Sequence, residues 1–256
     1  MQKGSCLCGG VAFEIEGDLR QVIACHCSQC RKQSGHFWAA TAAPEALVRL
    51  TKDATLAWYE ASPSAKRGFC NQCGSFLFWQ SMGSDSISIA AGALDGATGL
   101  HIAESIFHAD AGDYYDPNGG PPPSCADEPQ ELTGRCLCGR NHFTLPGPMG
   151  AVTACHCSQC RKTSGHYAAS FAAEEQDLHW HARRLAEHVA PGGGRRGFCP
   201  DCATSLFFRA ADGSFGVEAG CIETPTGGRL AAHIFVADKG DYYPLDDGLP
   251  QHEGDS

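Results

Sequence analysis

Nine residues occur twice in the chain without a change: Ala-Cys-His-Cys-Ser-Gln-Cys-Arg-Lys fills 24–32 and again 154–162. Each occurrence sets three cysteines within six residues, Cys25, Cys27 and Cys30 in one and Cys155, Cys157 and Cys160 in the other. Two short pairs accompany each triplet: Cys6-x-Cys8 with Cys70-x-x-Cys73, and Cys136-x-Cys138 with Cys199-x-x-Cys202. A chain with 16 cysteines points to disulfides in an oxidising compartment and to metal in a reducing one. Short knuckles repeated in register favour metal. Zinc takes four ligands in a closed structural site, and three in a working site that keeps one position open. Seven matched cysteines per copy divide as four plus three. The chain is therefore expected to hold four zinc ions, two in each copy.

Spacing leaves two divisions of the seven open. In one, Cys6 and Cys8 join Cys70 and Cys73 in a closed site, and Cys25, Cys27 and Cys30 form the open one. In the other, Cys27 and Cys30 join Cys70 and Cys73 as a zinc ribbon, which strands Cys6, Cys8 and Cys25. The first keeps each local cluster whole. Two cysteines remain outside the scheme: Cys125 reads as a free thiol, and Cys221, opposite Ala93, as a small buried residue.

Basic residues and histidines stand beside the cysteines. Arg31 and Lys32, with Arg161 and Lys162, follow the last cysteine of each triplet. They are candidates to bind a substrate carboxylate or to offset thiolate charge; the alternative is a solvated basic pair on a short helix. Lys66 and Arg67, with Arg195 and Arg196, carry the same two readings, and there the solvated one is preferred. His26 and His156 lie between two cysteines. They could pass a proton, but chain neighbours point apart, so a packing or surface role is preferred. His36 and His166 read as structural.

The elements that must hold these residues repeat as well. Gly4–Gly9 matches Gly134–Gly139, Arg67-Gly68-Phe69 matches Arg196-Gly197-Phe198, and Gly112-Asp113-Tyr114-Tyr115 matches Gly240-Asp241-Tyr242-Tyr243. Copy one is thus expected at 4–116, a Pro- and Gly-rich linker at 117–133, and copy two at 134–243, with a frayed tail after Pro250. Val11, Phe13 and Ile15 alternate with Ala12, Glu14 and Glu16, a half-buried strand pattern. Phe76–Trp79, Ser86–Ile89, Leu206–Phe208 and Phe215–Val217 suit strands too. One short helix per copy is expected, with Ser28 or Ser158 as N-cap and Gly35 or Gly165 as the stop. The fold class is mainly β, each copy an antiparallel domain with little helix.

Net charge is −10, and both halves are acidic: residues 1–116 hold 8 Lys and Arg against 12 Asp and Glu, the rest 11 against 17. A nucleic-acid partner is not expected, because such proteins present a basic face. No apolar run of about 18 residues is present to span a membrane. The first residues lack an apolar signal core, so the expectation is an unprocessed, cytoplasmic protein.

The motifs G-x-C-x-C-G, C-H-C-x-x-C-R-K-x-x-G and R-G-F-C-x-x-C, present in both copies, resemble the family of glutathione-dependent formaldehyde-activating enzymes, which includes centromere protein V. The resemblance implies two tandem β-tent zinc domains and the first division of the cysteines. Cys6, Cys8, Cys70 and Cys73, with Cys136, Cys138, Cys199 and Cys202, would hold structural zinc. Cys25, Cys27, Cys30, Cys155, Cys157 and Cys160 would hold catalytic zinc. It implies glutathione as co-substrate and a carbon–sulfur lyase acting on a small-molecule thiol or thiol adduct, S-hydroxymethylglutathione above all. A zinc-stabilised module for protein contacts, without catalysis, is the alternative. Copy two departs from the family pattern at Ala203 and in the glycines 192–194, and it differs from copy one at Asn141, which stands where copy one has Val11. It also has the family-like His233 where copy one has Ser105.

Overall fold

The computed structural model describes residues 1–124 and 128–255. Copy one runs β1 (Gln2–Ser5), β2 (Ala12–Ile15), β3 (Val22–Cys25), α1 (Ser28–Ser34), β4 (Trp38–Pro44), β5 (Val48–Lys52), β6 (Leu56–Ser62), β7 (Ala65–Cys70), β8 (Phe76–Ser81), β9 (Ser86–Ala90) and β10 (Ile102–Ile106). Copy two repeats the order as β11 (Glu131–Arg135), β12 (His142–Pro146), β13 (Gly150–Cys155), α2 (Ser158–Ser164), β14 (Ala168–Ala172), β15 (His179–Ala182), β16 (Ala186–Val189), β17 (Arg195–Phe198), β18 (Ser205–Arg209), β19 (Phe215–Glu218) and β20 (Gly228–Ile234). Each copy has a three-stranded sheet, β1-β2-β5 or β11-β12-β15, and a seven-stranded one, β10-β3-β4-β9-β8-β7-β6 or β16-β17-β18-β19-β14-β13-β20. The class is mainly β, as the strand patterns require. Val11, Phe13 and Ile15 are buried, and Phe13 stacks edge-on against Phe78 of the large sheet. The sheets are not wholly antiparallel: β10 runs parallel to β3, and β20 to β13. That pairing was not legible, because β10 reaches β3 only after the long excursion through β4–β9.

Two boundaries differ from the sequence reading. Strand β11 begins at Glu131, ahead of residue 134. The tail beyond Pro250 is held: His252 N donates to the His233 carbonyl at 2.9 Å, and Phe235 N to that of Gly254 at 2.8 Å. Cys125 lies outside the described residues.

The copies pack through matching contacts, so each half of the interface repeats the other, as in an isologous dimer. Gly92 N donates to the Gly165 carbonyl and Gly220 N to the Gly35 carbonyl, both at 2.8 Å. These contacts require glycine, because a Cβ on Gly92 would lie 2.4 Å from the Arg161 carbonyl, and one on Gly220 2.3 Å from that of Arg31. Asp113 holds the amide and hydroxyl of Thr226, while Asp241 holds those of Thr98. One apolar cluster consequently spans both copies, joining Val22, Phe37, Ala91 and Tyr114 to Val152, Tyr167, Leu230 and Tyr242.

Candidate metal centres

Strand β1 leads into Cys6-Leu7-Cys8, Cys70 ends β7, and Cys73 lies in the turn to β8. The fold brings these four sulfurs within 4.8 Å of one another, and does the same for Cys136, Cys138, Cys199 and Cys202. None of the described cysteines is in a disulfide. Cys8 Sγ lies 3.5 Å from Cys6 and 3.6 Å from Cys70; the copy-two distances are the same. A tetrahedral zinc with bonds of about 2.3 Å sets sulfurs about 3.8 Å apart, so the quartets fit that ion. Surrounding donors suit thiolates: Val11 N points at Cys6 Sγ at 3.2 Å, Ser75 Oγ lies 3.2 Å from Cys73 and Thr204 Oγ1 3.3 Å from Cys202.

Cys25, Cys27 and Cys30 form a separate group of three, as do Cys155, Cys157 and Cys160, again with sulfurs within 4.8 Å. No fourth cysteine, histidine or carboxylate completes either group among the described residues. The zinc-ribbon division therefore does not form: Cys27 and Cys30 face Cys25, away from the Cys70–Cys73 turn. Each triplet lies where a strand passes into a short helix. Cys25 ends β3, and Cys27 is itself the N-cap of α1, its sulfur accepting from Cys30 N at 3.4 Å. Cys157 caps α2 in the same way. Ser28 and Ser158, expected as caps, are instead the first helical residues. Gly35 and Gly165 end the helices with left-handed backbones. Contacts with Cys25 and Cys30 lower the Cys27 thiol, while contacts with Cys27 and Cys30 raise that of Cys25.

The charge beside each triplet comes from the arginine of the pair for which the sequence favoured a solvated role. Arg67 is 3% exposed and reaches Cys30 Sγ at 3.6 and 3.8 Å; Arg196 reaches Cys160 Sγ at 3.8 Å. Both guanidiniums are oriented by the helix that carries the cysteine, through Gln29 at 3.1 Å and Gln159 at 3.0 Å. The alternation of β7 held the signal: an arginine two residues before a buried Phe69 points to the same side of the sheet.

Arg31 and Lys32 do not face the triplet. Arg31 donates to the Ile222 carbonyl at 2.9 Å, and Lys32 pairs with Glu223 at 2.5 Å, both in copy two. Arg161 approaches the Gly92 and Leu94 carbonyls, and Lys162 pairs with Asp95 at 2.7 Å, both in copy one. Helix α1 ends against Ala219–Cys221, so basic residues on that side meet the carbonyls of the other copy. They serve the interface, and the expected carboxylate-binding role finds no support in their contacts.

His26 and His156 point away from the sulfurs, as alternation along β3 and β13 dictates. His26 bonds Tyr115 Oη at 2.7 Å and Ser105 Oγ at 2.8 Å; His156 bonds Tyr243 Oη at 2.7 Å and His233 Nδ1 at 2.9 Å, and His233 Nε2 meets Asp247 at 2.8 Å. Burial holds His26 down to about 4 and His156 to about 3. His36 and His166 are fully buried against Tyr114 and Tyr242, at 2.8 and 2.9 Å, and burial keeps both well below the usual imidazole value. The repeated Gly-Asp-Tyr-Tyr thus has a use: its aspartate clamps the other copy, and its tyrosines seat two histidines. His26, Tyr115, His166, His233 and Tyr243, with Phe37 and Tyr167, line a cleft of about 470 Å³ between the copies. Cys221 is buried, its sulfur 3.1 Å from the Glu218 carbonyl.

Two tandem, mainly β domains, each pairing a set of four cysteines with a set of three, define a protein built around clusters that could hold a soft metal. The sequence model described as glutathione-dependent formaldehyde-activating enzyme matches residues 1–110 and 131–238, and the chain belongs to that family. A crystal structure of a Rhodobacter sphaeroides protein matches 41% of this chain and 99% of its own, with 28% identity and a TM-score of 0.33. No curated protein matches. No helix is long and apolar enough to cross a membrane among the described residues.

Proposed function

We propose that the chain is a zinc-dependent carbon–sulfur lyase acting on a thiol adduct, with four zinc ions, and that glutathione and formaldehyde are its substrates. The observation that carries this reading is the contrast within each copy: four gathered sulfurs in one place, three beside a buried guanidinium in another. Cys6, Cys8, Cys70 and Cys73, with their copy-two counterparts, would hold structural zinc; Cys25, Cys27 and Cys30, with Cys155, Cys157 and Cys160, would hold the working ions. Zinc with three thiolates carries a formal charge of −1, which makes it a poor activator of water but leaves a position at which a substrate thiol binds deprotonated at neutral pH.

The protein's own groups set up that position. The Cys27 cap fixes the triplet to the start of α1, where Cys30 N–H steadies the Cys27 sulfur. Arg67 and Arg196 counter the thiolate charge from the buried side. In the forward direction the substrate sulfur adds its electron pair to the aldehyde carbon, and the resulting alkoxide takes a proton from water. In reverse, deprotonation of the hydroxymethyl group expels the thiolate and releases the aldehyde. His26 and His156 take no part, because their ring nitrogens are engaged on the opposite face.

Zinc analysis of the native protein, followed by zinc-edge X-ray absorption with and without glutathione, tests the proposal. The expected result is four ions per chain and added sulfur coordination when glutathione is supplied. Four sulfurs around every zinc beforehand would mean closed sites, and the non-catalytic module would replace the lyase.

A further inference from the structure

In copy one a chain of polar contacts leaves the triplet and crosses into copy two. The Arg67 guanidinium that faces Cys30 donates to Gln33 Oε1 at 3.2 Å. Gln33 donates through Nε2 to the backbone carbonyl of Cys202, a member of the copy-two quartet, at 3.0 Å. Gln33 is 1% exposed, so water does not compete for either contact. Its amide can sit only one way: the oxygen must face a group that only donates, and the nitrogen a group that only accepts.

Copy two has no counterpart. Thr163 occupies the position of Gln33 and turns its hydroxyl back to the carbonyls of Gln159 and Cys160, at 3.0 and 3.1 Å. The hydrogen bonds of the Arg196 guanidinium go to Gln159 and Cys160. The copy-one quartet also lies against copy two: a Cβ on Gly74, next to Cys73, would lie 2.7 Å from the ring of Phe198, next to Cys199. Both quartets thus meet the other copy, while the hydrogen-bonded link to a triplet arginine leaves only the copy-two quartet.

We infer that Gln33 is a positioning residue that couples the copy-two quartet to the copy-one triplet, so that metal at either site strengthens the other. The reverse pair, the copy-one quartet and the copy-two triplet, lacks this coupling. With the quartet filled, the turn Cys199–Cys202 would be fixed, its Cys202 carbonyl would orient Gln33, and Gln33 would hold Arg67 against Cys30, where its charge would ease the gathering of three thiolates. Coupling of this kind is reciprocal by thermodynamic necessity. The inference rests on the metal reading above and makes no use of glutathione.

The test uses the full chain with Cys155, Cys157 and Cys160 replaced by serine, leaving one triplet. Gln33→Thr, which gives copy one the copy-two residue, should lower the triplet's zinc affinity about 10-fold in chelator competition, the lower end for loss of an outer partner. With cadmium-113 in place of zinc, Gln33→Thr should shift the resonance of the copy-two quartet and leave that of the copy-one quartet in place. A lower melting temperature with unchanged affinity would make Gln33 merely structural and overturn the inference. Should Gln33→Thr fail to fold, the complementary variant decides. Thr163→Gln, in a chain lacking the copy-one triplet, should tighten the copy-two triplet, and no tightening would overturn the coupling. Coupling found without thiol binding would refute the lyase alone; thiol binding without coupling would refute only the role of Gln33.

Discussion

Behind Cys30 in copy one stand Arg67, Gln29 and Gln33; behind Cys160 in copy two stand Arg196, Gln159 and, in place of Gln33, a threonine turned the other way. The sulfurs are the same in number and spacing, and so are the groups that join the copies: Gly92 and Gly220, Asp113 and Asp241, Arg31 and Arg161. Differences concentrate one step out. Ala90 becomes Glu218, which burial pushes up to about 8 although Arg196 draws it down. Ser105 becomes His233, which extends the His156 contact to Asp247. The groups that join the copies through main-chain carbonyls and turns meet their own counterparts in a matched geometry, and both copies keep them. The side chains that differ also reach the other copy, Gln33 at the Cys202 carbonyl, Glu218 beside Gly35 and Tyr167 at His36, so it is these contacts that make the two halves unequal.

The largest separation should appear between cysteine classes rather than between copies. Cys73→Ser opens a quartet that joins β1 to the distant β7–β8 turn, and structural zinc contributes its binding energy, on the order of 10 kcal/mol, to folding. Cys27→Ser touches a loop whose chain already turns into α1. Cys73→Ser should abolish cooperative unfolding of copy one, followed by circular dichroism, whereas Cys27→Ser should keep the fold and lose one zinc. Equal damage from both would mean that the triplet, too, supports the fold. Because the copies share a core, Cys73→Ser should also loosen copy two, which separately folding domains would not show.

Acid should act on both copies together. His26, His36, His156 and His166 are neutral in the fold and protonate in the unfolded chain near pH 6.5. Their folded values are lowered, so the unfolded state binds more protons, and stability is full above about pH 6.5 and falls with pH toward 4. The loss approaches about 1.4 kcal/mol per pH unit for each histidine. Denaturant melts between pH 7.5 and 5.5 should show a steep decline. His36→Asn should be less stable at pH 7.5 but decline more shallowly, by about 1 kcal/mol per pH unit. An unchanged slope would assign the acid sensitivity to the thiolates.

What the sequence made legible was whatever repeats locally. The duplicated cysteine spacings carried the four-plus-three arithmetic, and alternation in 11–16 carried a strand. Contacts between the copies were hidden, because no local pattern tells Arg31, bound to the Ile222 carbonyl, from a solvated arginine. The same blindness reversed the roles of the two basic pairs: Arg31 follows Cys30 in the chain, while Arg67, distant in sequence, reaches its sulfur across the sheet. The parallel β3–β10 pairing escaped for a related reason, since β4–β9 separate the two strands in the sequence.

The smallest effect isolates one hydroxyl. His36 Nε2 has Tyr167 Oη from the other copy at 3.3 Å, and the matching atom, His166 Nε2, is buried without a partner among the described residues. The cause is a single difference: Phe37 stands at the position of Tyr167, its ring centroid 4.6 Å from that of His166. A buried imidazole nitrogen left unpaired costs about 1–3 kcal/mol, whereas a completed hydrogen bond contributes about 1 kcal/mol. Phe37→Tyr should therefore raise stability by about 1 kcal/mol, and Tyr167→Phe should lower it by a similar amount by orphaning His36. Both changes keep the ring and its packing, so the measured difference belongs to the hydroxyl. Equilibrium unfolding of the two variants and of the exchanged double variant checks this. The exchange Phe37→Tyr with Tyr167→Phe moves the missing bond from His166 to His36 and should return stability close to that of the parent. If Phe37→Tyr instead destabilises, the added hydroxyl does not reach His166, and the two sides of the cleft are less alike than their backbones.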